Sequence, residues 1–306
     1  MMMMLSRLSA LRLTTGVQST STELGRSLPH AYDVWAGFSS EAGPSNSPGD
    51  GKIRLAKLMA QKGLCSRREA DVYIQKGAVL VNGEKVKADW CFVPEDAIVT
   101  LDFPAQRHQR KKVTVLLNKP LGYVSSQPEA SRVPAVKLLT SANECKELNK
   151  TLPREKTEPM QLPKMAVCGR LDVNSTGLLI FTQDGTLAKR ILDPNGGIEK
   201  EYLVRVNIKL DEDNGDVTRK LQKLRAGVTA TLDDGQRVTY KAKSVEIINE
   251  NQLRFILTEG KHRHIRRMCD HVGIDVMALK RVRIGNIKLG RLPVGQWRYL
   301  QPTDRL

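Results

Sequence analysis

The chain has 306 residues, with 49 Lys or Arg against 33 Asp or Glu and a formal charge of +16. Hydrophobic residues make up 40% and charged residues 27%, which suits about two ~150-residue domains and argues against a globally disordered chain. No window reaches the ~18 uninterrupted apolar residues of a membrane span. The cysteines at 65, 91, 145, 168 and 269 form no CxxC pair, arguing against a disulfide scaffold or zinc ribbon and for a reducing compartment.

Residues 1–51 carry Arg7, Arg12 and Arg26 against four acids, so 46 basic and 29 acidic residues remain in the rest. A folded body this basic points to polyphosphate or an anionic surface. The first 22 residues contain no acid, two arginines and many Ser and Thr. This composition suits an organellar transit peptide, for a mitochondrion rather than a plastid, with a cytoplasmic protein as the alternative. Residues 36–51 are a Gly-, Pro- and Ser-rich linker, so no fold is expected before about residue 52.

From 52 to 101 the spacing predicts a small helix-helix-hairpin module. Ile53, Leu55, Leu58 and Met59 recur at helical spacing up to Gly63. Ser66 with Glu69 forms a capping box for a second helix, whose apolar stripe (Ala70, Val72, Tyr73, Ile74) stops at Gly77. AVLVNGEKV alternates and turns on Asn82-Gly83. Arg67 and Arg68 in the first turn oppose the helix dipole unless a phosphate docks there, and Arg54, Lys57 and Lys62 lie near. The stretch RLAKLMAQKGLCSRREADVYIQKGAVLVNGEKV resembles the S-four-type RNA-binding domain. That resemblance implies docking on structured RNA, with Arg54, Lys57, Arg67 and Arg68 as contacts.

A basic linker, 102–111, leads to a larger region at 112–301, in which 141–164 reads as a mobile insertion. VTVLLNKPLGYVSS begins as an apolar strand, Leu178 to Phe181 is a buried-strand run, and Thr186 to Leu192 is helical. EYLVRV, RVTYKAKSVEII and LRFILTEG are strand-like and IRRMCDHVG is helical. Strands predominate without regular helix alternation, so an α+β fold with a mainly antiparallel sheet and flanking helices is expected.

Asp172 stands in the Gly- and Asn-rich loop of GRLDVNSTG, where a carboxylate is either a turn residue or a functional anion. GKHRHIRRM holds Lys261, Arg263, Arg266 and Arg267 within seven residues. Some of these must face the sheet or cleft, and a buried guanidinium needs a carboxylate, for which Asp172 is available. His262, His264, Cys269 and His271 do not share a helical face, and their basic neighbours repel a dication, so no metal is expected. GxGxxG, GxxxxGK[ST] and G-x-S-x-G segments are absent.

NKPLGYVSS, GRLDVNSTGLLIFTQDG, EKEYLVRV, TEGKHRHIRRMCDHVG and LKRVRIGNIKLGRLPVGQWRYL resemble, in that order, the RsuA-type RNA pseudouridine synthases, which also carry an S-four-type domain in front. The resemblance spans about residues 53 to 301 and departs at Ser175, where Thr is usual, and at His264, where Gln or Glu is common. It implies isomerisation of uridine in RNA, most readily ribosomal RNA, without cofactor or metal. A monomer is expected, and no membrane binding, since no amphipathic basic helix stands out in the folded region. By resemblance Asp172 is the catalytic aspartate, Tyr202 stacks on the uracil, Arg266 pairs with the aspartate and Leu279 lines the base pocket. Arg170 of the same motif is a substrate contact, while Lys261, Arg263 and Arg267 bind RNA. The alternative is a non-catalytic RNA-binding or ribosome-assembly factor retaining the fold.

Overall fold

The structure, a computed structural model, describes residues 51–86, 92–126, 132–149, 165–211, 213–231, 235–304 and 306. The expected targeting segment and most of the expected linker after it lie outside the described residues.

The front module opens with strand β1 (Lys52–Arg54), then α1 (Leu55–Gln61) and α2 (Arg67–Gln75). The capping box forms as its residues demand: the Ser66 side chain accepts from the Glu69 amide, and the Glu69 carboxylate accepts from the Ser66 amide at 2.9 Å. Glu69 also ion-pairs with Lys112, which with these hydrogen bonds holds its carboxyl below the usual range against the opposing pull of burial. Asn82 and Gly83 adopt positive φ (51° and 88°) and turn β2 (Val79–Val81) into β3 (Glu84–Lys85). β4 (Phe92–Pro94) pairs with β1, and β5 (Val99–Leu101) with β2. Leu55, Met59, Ala70, Tyr73, Val79 and Val99 belong to the module's own apolar core.

The stretch expected as a basic linker, 102–111, contains a helix. Asp102 caps α3 (Phe103–Arg110) by accepting from the Ala105 amide, and His108 and Gln109 tie the helix to the Tyr73 hydroxyl at 2.8 and 2.9 Å.

The main sheet contains nine strands among the described residues. Its members are β6 (Thr114–Lys119), β7 (Ala166–Cys168), β8 (Thr176–Thr182), β9 (Lys200–Val206), β12 (Ser244–Asn249), β13 (Gln252–Leu257), β14 (Val276–Ile284), β15 (Ile287–Lys288) and β16 (Trp297–Tyr299). They run in the order β12-β13-β9-β14-β8-β6-β16, with β15 on β14 and β7 on β8. All pairings are antiparallel except the short parallel contact of β14 with β8, so the α+β architecture holds. α5 (Gly185–Leu192), α6 (Gly215–Ala226) and α7 (His264–His271) flank the sheet, and β10 (Val228–Thr231) with β11 (Arg237–Tyr240) forms a separate ribbon.

Part of the expected mobile insertion is ordered. Residues 141–149 form a 3-10 turn and α4 (Lys146–Asn149), with Cys145 buried. The Cys145 amide donates to Trp297 at 2.8 Å, and Asn149 accepts from the Tyr299 amide at 3.0 Å. The remainder, 150–164, lies outside the described residues.

The parallel contact dictates one residue. Gly177 sits opposite Arg281 at φ +102°, and a Cβ there would stand 2.2 Å from the Arg281 carbonyl oxygen. Gly177→Ala should therefore destabilise the protein by at least ~3 kcal/mol. Gly215→Ala, on open space at the start of α6, should change stability by less than ~1 kcal/mol and in the stabilising direction. Chemical denaturation of both variants checks the contrast.

Candidate active site

Two central strands build the floor. Along β9, burial alternates so that Lys200, Tyr202 and Val204 face inward. β14 runs antiparallel with Arg281 opposite Tyr202 and Leu279 opposite Val204. Directly opposed residues project from the same face, so Tyr202, Leu279 and Arg281 form one surface. Asp172 overlooks it from the loop joining β7 to β8, and the end of α5 and residues 257–265 complete a cleft of about 270 Å³.

That loop is tied down at every step. Arg281 donates from Nη2 to Gly169 (3.0 Å), from Nη1 to Arg170 (3.3 Å) and from Nε to Leu178 (2.8 Å). Ser125 donates to the Leu171 carbonyl at 2.6 Å and accepts from the Leu171 amide at 2.8 Å. The Asp172 carbonyl takes the Ser175 amide (3.0 Å), and the Val173 carbonyl takes the Gly122 amide (3.0 Å). Arg266 Nη2 reaches the Asn174 carbonyl at 2.7 Å. Six consecutive carbonyls, Gly169 to Asn174, thus each accept a hydrogen bond. A polar loop pinned in this way holds its one carboxylate in a fixed position.

The surroundings are cationic. Lys119 is 0% exposed and donates to Pro120 (2.8 Å) and Tyr123 (2.9 Å). Burial pushes its ammonium down to about 8, with Asp172 pulling upward and Arg281 lowering it further. Arg266 is lowered by burial and by Arg263, again against Asp172, and Lys200 by burial and Arg281. Lys119 and Arg266 thus both lie within electrostatic reach of Asp172. No ion pair within 4.0 Å joins it to any of them among the described residues. The expected Arg266–Asp172 pair is not formed here: Arg266 stands behind the loop on the Asn174 and Val276 carbonyls. Within the cleft the buried guanidinium is Arg281, and backbone carbonyls satisfy it instead of a carboxylate, whereas the buried Arg298, outside the cleft, pairs with Asp304.

Of the residues anticipated from the sequence, Asp172, Arg170, Tyr202, Leu279, Lys261 and Arg263 line the cleft. Arg266 and Arg267 line an adjoining groove that shares Arg263. Lys261 bonds to Glu259 (2.8 Å) and to the Thr239 carbonyl (2.7 Å), and Arg267 to the Tyr240 hydroxyl (2.8 Å). His264 packs edge-on against Tyr240, and burial drives its imidazole down to about 4, so it is neutral. On the front module, Lys57, Arg67 and Arg68 are exposed, and Arg54 makes an exposed pair with Asp71 at 3.2 Å. Lys119, Arg281, Lys200 and Ser125 were not anticipated. Their sequence signal is a polar residue at an inward position of an apolar strand or just beyond one.

Comparison with known proteins agrees with this geometry. The family model described as RNA pseudouridylate synthase matches residues 113–271, and the S4 domain model matches 53–96. The dual-specificity RNA pseudouridine synthase RluF of Escherichia coli is 32% identical over 258 residues, covering 83% of this chain and 78% of that protein. An uncharacterized RNA pseudouridine synthase of Aquifex aeolicus is 36% identical over 255 residues, covering 83% and 92%. The ribosomal large subunit pseudouridine synthase B of Yersinia pestis is 33% identical over 252 residues, covering 80% and 71%. The chain belongs to the RNA pseudouridylate synthase family and is an isomerase acting on RNA.

The Lys119 environment is directly measurable. Its ammonium should titrate near 8, followed by NMR of side-chain-labelled lysine. Because the folded value lies below the unfolded one, burying Lys119 costs stability below pH ~8, and the cost is relieved as pH rises toward ~10.5. Asp172→Asn removes the charge that supports the ammonium and should lower the value further. A value near 10.5, or no response to Asp172→Asn, would contradict this account.

Proposed function

We propose that the chain converts one uridine of ribosomal RNA to pseudouridine in an organelle, with Asp172 as its single catalytic carboxylate. The observation that carries the proposal is the pairing of Asp172, on a loop whose carbonyls are all bonded, with Tyr202 and Leu279 across one small cleft. In the reaction the bond from uracil N1 to the ribose C1′ breaks, the base turns, and a bond from C5 to C1′ forms. The proton leaving C5 is balanced by the one gained at N1, so the chain needs to supply no oxidant, reductant or second substrate. Asp172 serves either by attacking C1′ or by removing a ribose proton.

The target must leave its stack, at a cost of a few kcal/mol. Tyr202 offsets part of that with its ring, Leu279 supplies apolar contact, and Arg170, exposed beside Asp172, contacts the substrate backbone. Arg266 acts as a positioning residue, through the Asn174 carbonyl. Arg54, Lys57, Arg67 and Arg68 form the docking surface of the front module, and Lys261, Arg263 and Arg267 that of the catalytic region. The ribosomal target is supported by the name of the Yersinia pestis relative, and the organelle by the composition of residues 1–22. We further propose that the protein acts as a monomer and uses no cofactor.

Asp172→Asn keeps the side-chain volume and removes the charge. Product formation on ribosomal RNA from cells lacking the protein should fall at least ~1,000-fold, with RNA affinity within about threefold of wild type. Turnover retained in that variant would overturn the assignment of Asp172. Unchanged pseudouridine maps of organellar ribosomal RNA in cells lacking the protein would overturn the target.

A further inference from the structure

Beside the Asp172 cleft lies a second concavity of about 490 Å³. Its charged and titratable lining is Arg263 at the N-cap of α7, Arg266, Arg267, Asp270 and His271 on the helix, and Asp275 just before β14. Three arginines face two carboxylates there, and Asp275 already accepts from the Asn207 side-chain amide at 2.6 Å, so the groove carries a small net positive charge. Two of them are partly committed, Arg266 to carbonyls and Arg267 to the Tyr240 hydroxyl. Even so, the buried Nε of Arg266 has no partner.

Arg263 is different. It lines both concavities, is exposed, and makes no side-chain hydrogen bond or ion pair among the described residues. Its backbone is left-handed, φ 52° and ψ 31°, a conformation that costs a long side chain ~1 kcal/mol or more and that Gly or Asn adopts more cheaply. A free guanidinium is thus held on the ridge between two adjoining hollows.

We infer that the groove along α7 is a second nucleotide subsite, which receives the residue adjacent to the target uridine while Arg263 clamps the phosphodiester joining the two. The inference rests on the proposal that the Asp172 cleft takes the uridine. A phosphodiester is the group common to neighbouring nucleotides, and a planar guanidinium matches its two free oxygens. The occupant is an RNA residue carrying backbone charge, and the predominance of arginine over carboxylate in the groove favours that over an acidic peptide of the same size.

The probe is a fluorescein-labelled pentanucleotide, AAUAA, whose single uridine sets the register, measured by fluorescence anisotropy over a salt series. Arg263→Gly removes the cation and suits the left-handed backbone, so its thermal midpoint should not fall. Its affinity should drop roughly tenfold, and its salt slope should flatten by about 0.7, the increment for one single-strand phosphate. Replacing the phosphate on one side of the uridine with an uncharged methylphosphonate should weaken wild type similarly and leave Arg263→Gly unaffected. Arg263→Asn, equally compatible with the backbone, should behave like Arg263→Gly. Additive losses, or an unchanged slope in both variants, would overturn the subsite. Turnover is not read in this experiment, so failure of the Asp172 assignment shows separately in the Asp172→Asn assay.

Discussion

The hydrogen bonding of one loop organises the catalytic region. Of six consecutive bonded carbonyls around Asp172, five are satisfied by groups from remote parts of the chain, Arg281 on β14, Ser125 and Gly122 after β6, and Arg266 on α7, and the sixth, that of Asp172, by the nearby Ser175 amide. Each bond contributes only ~0.5–1.5 kcal/mol net, but each one unmade would leave a polar group unsatisfied at ~1–3 kcal/mol. The sheet order follows the same demand. Arg281 reaches the loop because β14 meets β8 in parallel at Gly177, and no side chain fits between the two backbones there.

This arrangement separates the two duties of the protein's positive charge. The buried cations Arg281 and Lys119 are matched to backbone carbonyls, Arg281 to those of the Asp172 loop and Lys119 to those of Pro120 and Tyr123. The exposed cations Lys57, Arg67 and Arg68 on the front module and Arg263 at the N-cap of α7 are the proposed phosphate contacts. The stretch from Lys261 to Arg298 holds ten basic residues against two acidic ones, and both kinds occur in it. A count of charge cannot tell a guanidinium that builds the site from one that greets the RNA. Hydrogen-bond partners can.

The front module was legible because its signals are local. The Ser66–Glu69 box, the stops at Gly63 and Gly77 and the Asn82-Gly83 turn each act within a few residues, and each appears as expected. Asp172, Tyr202 and Leu279 were recognised through family motifs, and they meet across the cleft. The partner of Asp172 was misjudged for two physical reasons. The sequence places four basic residues within seven but does not say which of them faces Asp172, and in the structure Arg266 and Arg267 on α7, with Arg263 at its N-cap, line the neighbouring groove. The buried arginine was missed because its acceptors lie more than a hundred residues away in sequence. Helix α6 also went unseen, although Asn214 as its cap and Val217, Leu221 and Leu224 as its stripe are all written in the chain.

Ser125 gives the most direct test of whether the tethered loop governs the chemistry. Its side chain is buried and makes, among the described residues, only the two bonds to Leu171, and Ser125→Ala removes both with the loss of one oxygen. If the tether positions Asp172, the single-turnover rate of pseudouridine formation should fall roughly ten- to a hundredfold, since a displacement of ~1 Å has that scale of effect, with RNA affinity unchanged. A wild-type rate in Ser125→Ala would contradict the account.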